Sequence, residues 1–183
     1  ASAPLFLVSG NHDGELGWKL NGTAENLAVW STKARQVFYP NPLPGGFYSG
    51  STVTEPFIGV RDGYYAWTWG DALFVGLDPY WYSTSKPSTL AQNWNYTLGA
   101  DQYQWLKTTL EGSDAKFKFV FAHNLVGGLD TNMRGGIEAA DKFEWGGLNA
   151  DGTWGLDSNR PGWPASIHQL LVENHVTIFF HGH

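Results

Sequence analysis

None of the 183 residues is cysteine, which excludes disulfides, thiolate zinc sites and cysteine nucleophiles at once. No apolar run approaches the roughly 20 residues that a membrane-spanning helix requires. Charge is scarce as well: charged residues make up 15% of the chain, with 11 Lys and Arg against 17 Asp and Glu. A formal net charge of −6 suits neither a phosphate-tracking nucleic-acid binder nor an anionic membrane surface. There is no N-terminal Met and no signal-peptide pattern, and neither an internal repeat nor a low-complexity tract appears. A hydrophobic content of 42% marks a globular chain and not a disordered one.

What is plentiful is glycine, at 23 residues, and tryptophan, at 10. Aromatic side chains on glycine-rich turns predict long, ordered surface loops. The length suits a single domain over residues 1–183. A Cys-free, acidic, Trp-rich chain leans towards an exported protein, secreted or periplasmic. The tripeptides Asn21-Gly22-Thr23 and Asn95-Tyr96-Thr97 match the glycosylation acceptor pattern, at a frequency chance alone would give. The chain starts just ahead of one apolar run and stops at the end of another, so it is expected to be incomplete at both ends.

Hydrophobic patterning gives the element order. The run Leu5-Phe6-Leu7-Val8, between Pro4 and Gly10, reads as a buried strand. Leu27, Trp30, Ala34 and Val37 are spaced for a helix that ends before Pro40, and 40–62 reads as a long loop. The segments 64–69 and 72–77, split by Gly70-Asp71, predict a hairpin. Tyr103, Leu106 and Leu110 form one stripe of a helix of about three turns. Phe117–Ala122 is the next strand, 127–162 a long loop of a length that suggests function, 164–174 a short helix, and Val176–Phe180 a last buried strand. Strands interleaved with helices give an α/β domain with an antiparallel portion.

Three polar clusters follow directly on three of these apolar runs: Asn11-His12-Asp13, His123-Asn124 and His181-Gly182-His183. In open α/β sheets, ligands bind in the crevice outside the carboxyl ends of the strands. Each cluster taken singly has a plain structural explanation: an Asx turn, a core histidine, a frayed end. Three His-bearing strand ends in one chain point instead to a metal or catalytic cleft. Imidazole and amide oxygen without thiolate suit a divalent first-row ion better than calcium. A His followed at once by Asp also suits a general acid whose imidazolium is held by a carboxylate.

Ser9-Gly10-Asn11-His12-Asp13 resembles the Gly-Asn-His-Asp/Glu motif of the calcineurin-like metallophosphoesterases, which include the purple acid phosphatases. Phe119-Val120-Phe121-Ala122-His123 is similar to the later strand of that family that ends in one metal-binding His. Val176–His183 is similar to the closing strand that leads into Gly-His-x-His, as far as its first His. The resemblance implies a mixed β-sheet sandwich flanked by helices and a two-metal hydrolysis of a phosphate monoester or diester. Carried over position by position, it implies Asn11, His123 and His183 as metal ligands, His12 as the group assisting the leaving oxygen, and Asp13 as its orienting partner. The implied cofactors are two divalent first-row ions (Mn, Fe or Zn), and the implied partner is a small phosphoester.

The chain departs from that pattern in two places. Only ten residues precede Asn11, so the earlier Asp-x-His and Gly-Asp-x-x-Asp motifs are missing, and Gly70-Asp71 reads as a hairpin turn. The final His of the closing motif is missing too. The expectation is therefore a half-site in a truncated chain, keeping one of the two ions at most. Arg134, in the long loop after His123, is the candidate substrate contact, because Arg suits a non-bridging phosphate oxygen. His168 and His175 are explained by their helix positions. A second reading, from another class, is a carbohydrate-binding module whose Pro79-Tyr80-Trp81-Tyr82 run offers exposed rings, the alternative for that run being a minor core under a loop.

Overall fold

The computed structural model describes residues 3–183 and shows a mixed α/β architecture. Helix α1 (Leu27–Phe38) starts where the Asn26 side chain accepts a hydrogen bond from the Val29 amide at 3.0 Å. The region expected to be a plain loop contains three short strands: β1 (Tyr48–Gly50), β2 (Thr54–Glu55) and β3 (Gly59–Val60). Strands of two or three residues are too short to show alternation. They form because β1 pairs antiparallel with the hairpin that follows, while β2 and β3 pair with each other.

That hairpin is β4 (Tyr65–Trp69) and β5 (Ala72–Gly76). Gly70 takes φ +56°, the positive angle that a two-residue hairpin turn needs and that glycine adopts at no steric cost. Helix α2 (Gly99–Glu111) then crosses over to β6 (Phe117–Ala122), which lies parallel to β5. After β6 come the ribbon β7 (Leu129–Asp130) and β8 (Met133–Arg134), and the single turns α3 (Phe143–Gly146) and α4 (Leu156–Asn159). Helix α5 (Ile167–Glu173) leads to β9 (Ile178–His181), parallel to β6. The resulting five-stranded sheet runs β1-β4-β5-β6-β9. Among the described residues no helix is long and apolar enough to cross a membrane.

The two faces of the sheet differ. Leu73, Val75, Val120 and Ala122 point to one side, where they pack with Leu106 and Leu110 of α2 and Ile167, Leu170 and Leu171 of α5. Lys118 shares that face and reaches out to cap the Leu110 carbonyl at 2.9 Å. The opposite face carries Trp67, Phe74, Phe119, Phe121 and Phe180, ring against ring across the strands and only partly covered.

Two expected strands change character. Leu5–Val8 joins no ladder, because it crosses the aromatic face, where Phe6 stacks on Trp67 at 4.0 Å, and does not run beside an edge strand. Its backbone is held by side chains: Asn41 donates to and accepts from Leu7 at 2.9 Å, and the Tyr65 hydroxyl donates to the Leu7 carbonyl at 2.9 Å. The last strand forms but is not buried. It sits at the sheet edge with β6 as its one neighbour, and only Phe179 turns towards the core.

Candidate metal centre

Strand register builds this site. Ala122 pairs with His181, so the chain leaving β6 at His123 runs beside the chain leaving β9, and the Gly182 amide donates to the His123 carbonyl at 3.0 Å. The third component arrives from the far side as a tight turn. The Asp13 amide donates to the Gly10 carbonyl at 3.1 Å, and the Gly10 amide donates back to the Asp13 carboxylate at 2.7 Å. This turn presents Asn11 and His12.

The three residues converge. His123 Nε2 stands 3.0 Å from Asn11 Oδ1 and 2.8 Å from His183 Nδ1, although 112 and 60 positions of chain separate the partners. Gly10 makes the approach possible, since a Cβ there would lie 3.0 Å from His123 Nδ1. Burial, and the imidazole of His183 next to it, hold the His123 ring below its ordinary pKa, while Asp13 pulls the other way and His12 adds to the lowering. That lowering favours the neutral imidazole, the form a metal ligand must take.

The donor set fits a first-row ion. Donors sharing an ion at about 2.1 Å stand roughly 3 Å apart when they occupy adjacent corners of an octahedron, and both distances around His123 Nε2 match that spacing. The set is two imidazole nitrogens and one amide oxygen. No group of three or more His, Asp or Glu side chains among the described residues is arranged to hold an ion, so the Asn11 oxygen is essential to the count.

The other predicted residues fall in different relations to this centre. His12 is exposed, one residue beyond Asn11, and no described hydrogen bond reaches its ring. Asp13 accepts the Gly10 amide through Oδ2, so in this structure it shapes the turn, and no described hydrogen bond joins it to His12. Arg134 is exposed at the end of β8, on a segment that folds back towards the centre: a Cβ on Gly136 would lie 3.9 Å from the His181 ring. Gly70-Asp71 is the hairpin turn. Tyr80 and Trp81 lie in the interior, 0% and 4% exposed, so this run is core and offers no stacking platform. A cavity of about 340 Å³ opens behind the Asn11–Asp13 turn, lined by Ser9, Asp13, Glu15, Ser31 and Arg35 among others.

Sequence reasoning missed the layer beneath the site. Glu15, Arg35, Arg61, Asp62 and Asp78 form a buried ionic network in which both arginines bind Glu15, Arg35 also takes Asp62, and Arg61 also takes Asp78. The only signals in the sequence are a Glu two residues after Asp13 and an Asp two residues after β5. No family model, curated protein or solved structure compared with the chain matches it.

Proposed function

We propose that this chain is a metal-dependent phosphoesterase domain of the calcineurin-like kind, acting on a small phosphate monoester or diester. The observation that carries the reading is that His123 Nε2, at the end of β6, stands 3.0 Å from Asn11 Oδ1 on its turn and 2.8 Å from His183 Nδ1 just past β9. Asn11, His123 and His183 would hold a divalent Mn, Fe or Zn ion. Such an ion supplies charge to polarise a phosphoryl oxygen and to lower the pKa of bound water. The chain's own residues do the rest. His12, free and exposed beside Asn11, would give a proton to the leaving oxygen. Arg134 would meet a non-bridging phosphate oxygen from the loop side.

The described residues supply donors for one ion, and a second ion would need further ligands. In the same reading the five-stranded sheet is one layer of a β-sandwich, its aromatic face turned towards a second layer. Its acidic, cysteine-free composition goes with a secreted or periplasmic enzyme that binds no nucleic acid.

The test is elemental analysis of the purified protein without tag histidines, followed by hydrolysis of p-nitrophenyl phosphate and bis-p-nitrophenyl phosphate. The expected result is one tightly held first-row ion, lost in His123→Ala, and hydrolysis that EDTA abolishes and His12→Ala lowers by at least about a hundredfold. A folded protein that takes up no Mn, Fe or Zn would sink the proposal.

A further inference from the structure

The Asn11–Asp13 turn has no β-ladder to hold it against His123, because Leu5–Val8 pairs with no strand. Something else must fix a 3.0 Å spacing between two parts of the chain that share no register. A continuous chain of buried polar contacts runs between them. Glu15, two residues past Asp13, accepts from Arg61 Nη2 at 2.7 Å. The other Nη of Arg61 binds Asp78, just past β5. Asp78 Oδ1 accepts from the Tyr80 amide at 2.9 Å, and the Tyr80 hydroxyl donates to Asn124 Oδ1. Asn124 directly follows His123, its own amide donates to the Leu125 carbonyl at 2.8 Å, and the Tyr80 ring lies 6.2 Å from the His123 ring.

We infer that Arg61 and Tyr80 are positioning residues of the candidate metal centre, holding the Asn11–Asp13 turn in register with His123 through the chain Glu15–Arg61–Asp78–Tyr80–Asn124. Every member is at most 3% exposed. Burying three such ions is a poor route to stability, since apolar side chains of similar volume would serve at least as well. What ions and a planar guanidinium provide is direction: the Arg61 fork fixes where both carboxylates lie. Among the described residues the Arg61 Nε has no hydrogen-bond partner, so the fork is committed through its two ends. Burial, with Tyr96, Asp78, Asp130 and Asp13 around it, raises the Tyr80 phenol far above its ordinary pKa and keeps it a donor.

The consequence for metal binding rests on the metal-centre reading; the geometry does not. Two readouts keep them apart: the ring 15N signals of His123 and His183 in metal-free protein, and calorimetric titration with ZnCl2. Tyr80→Phe removes one oxygen and keeps the ring packing, so it folds where Arg61→Met is at risk. It is expected to displace both ring signals and to weaken Zn²⁺ binding about tenfold. Tyr96→Phe is the control, because that phenol, 6.3 Å from Tyr80, donates to Asp130 and not to Asn124. It is expected to leave signals and affinity unchanged at a similar loss of urea stability. Ring signals untouched by Tyr80→Phe, or moved equally by Tyr96→Phe, would overturn the inference. Ring signals that shift in Tyr80→Phe, with a wild type that binds no Zn²⁺, would uphold the positioning and remove the metal.

Discussion

Gly10 is the residue where backbone and chemistry meet most closely. Its missing side chain leaves room for the His123 imidazole, and its amide closes the turn on Asp13. Gly10→Ala places a methyl 3.0 Å from Nδ1 and 3.1 Å from Cε1 of that ring, tight enough that His123 must move by a few tenths of an ångström. The ring is one end of both short contacts at the centre, so the displacement appears there and little in overall stability. Zn²⁺ affinity should fall about tenfold, as for loss of a supporting contact around a ligand, while the unfolding free energy from urea titration stays within about 0.5 kcal/mol of wild type. An unchanged affinity measured by calorimetry would show that the ring has slack. Asn11, His123 and His183 were legible in the sequence because each follows directly on an apolar run, where strand ends place ligand groups. The bond between Tyr80 and Asn124 was not. A Tyr in an aromatic run carries no mark of where its hydroxyl points, and that depends on register across 44 residues.

Among the elements, helix α1 is joined to the site by charge more than by apolar burial. Only Ala28, Val29 and Thr32 of its residues are buried, whereas Arg35 takes both Glu15 and Asp62. Burial pushes the Glu15 carboxyl up, but the hydrogen bond from Arg35 and the charges of Arg61 and Arg35 pull it further down, leaving it below its ordinary 4.5. A carboxyl depressed in the folded state contributes stability above its unfolded pKa and loses it as pH falls through the folded value. The protein should therefore lose stability below about pH 4.5. Glu15→Gln should flatten that acid limb and cost about 3–5 kcal/mol at pH 7, because two guanidinium groups lose a buried counter-charge. Urea midpoints at several pH values between 3 and 7 measure both effects. The β4–β5 hairpin and the strand before His123 were readable from alternation and the Gly-Asp turn. The β1, β2 and β3 pairings were not, because a two-residue strand is defined by its partner. Leu5–Val8 failed for the same reason in reverse: its pattern is that of a strand, and no neighbouring backbone pairs with it.

For the whole molecule, the outstanding fact is an aromatic sheet face that the Leu5–Val8 segment covers only in part, leaving its β6–β9 side open to water. Ile178 and Phe180 are 44% and 43% exposed, and Phe121 stacks on Phe180 at 4.9 Å within the same sheet. Soluble monomers rarely expose contiguous apolar patches beyond a few hundred Å². Phe117, Ile178 and Phe180, each more than 40% exposed, make the uncovered side of this face such a patch. Alternation alone does not reveal such a face, because a strand apolar on both sides reads the same whether one side or both are covered. The physical expectation is a folded protein that nonetheless binds hydrophobic dyes. Anilinonaphthalene sulfonate fluorescence should rise on mixing with the native protein. Ile178→Lys and Phe180→Lys should each lower it while leaving the protein folded, the first within about 0.5 kcal/mol of wild type and the second at a cost of up to about 1.5 kcal/mol for the lost stack on Phe121. Val172→Lys, which alters a still more exposed apolar residue on α5 away from the sheet face, should leave the signal where it was. Dye binding that ignores the two β9 substitutions, or falls equally with Val172→Lys, would mean that the open face is not where water meets the apolar surface.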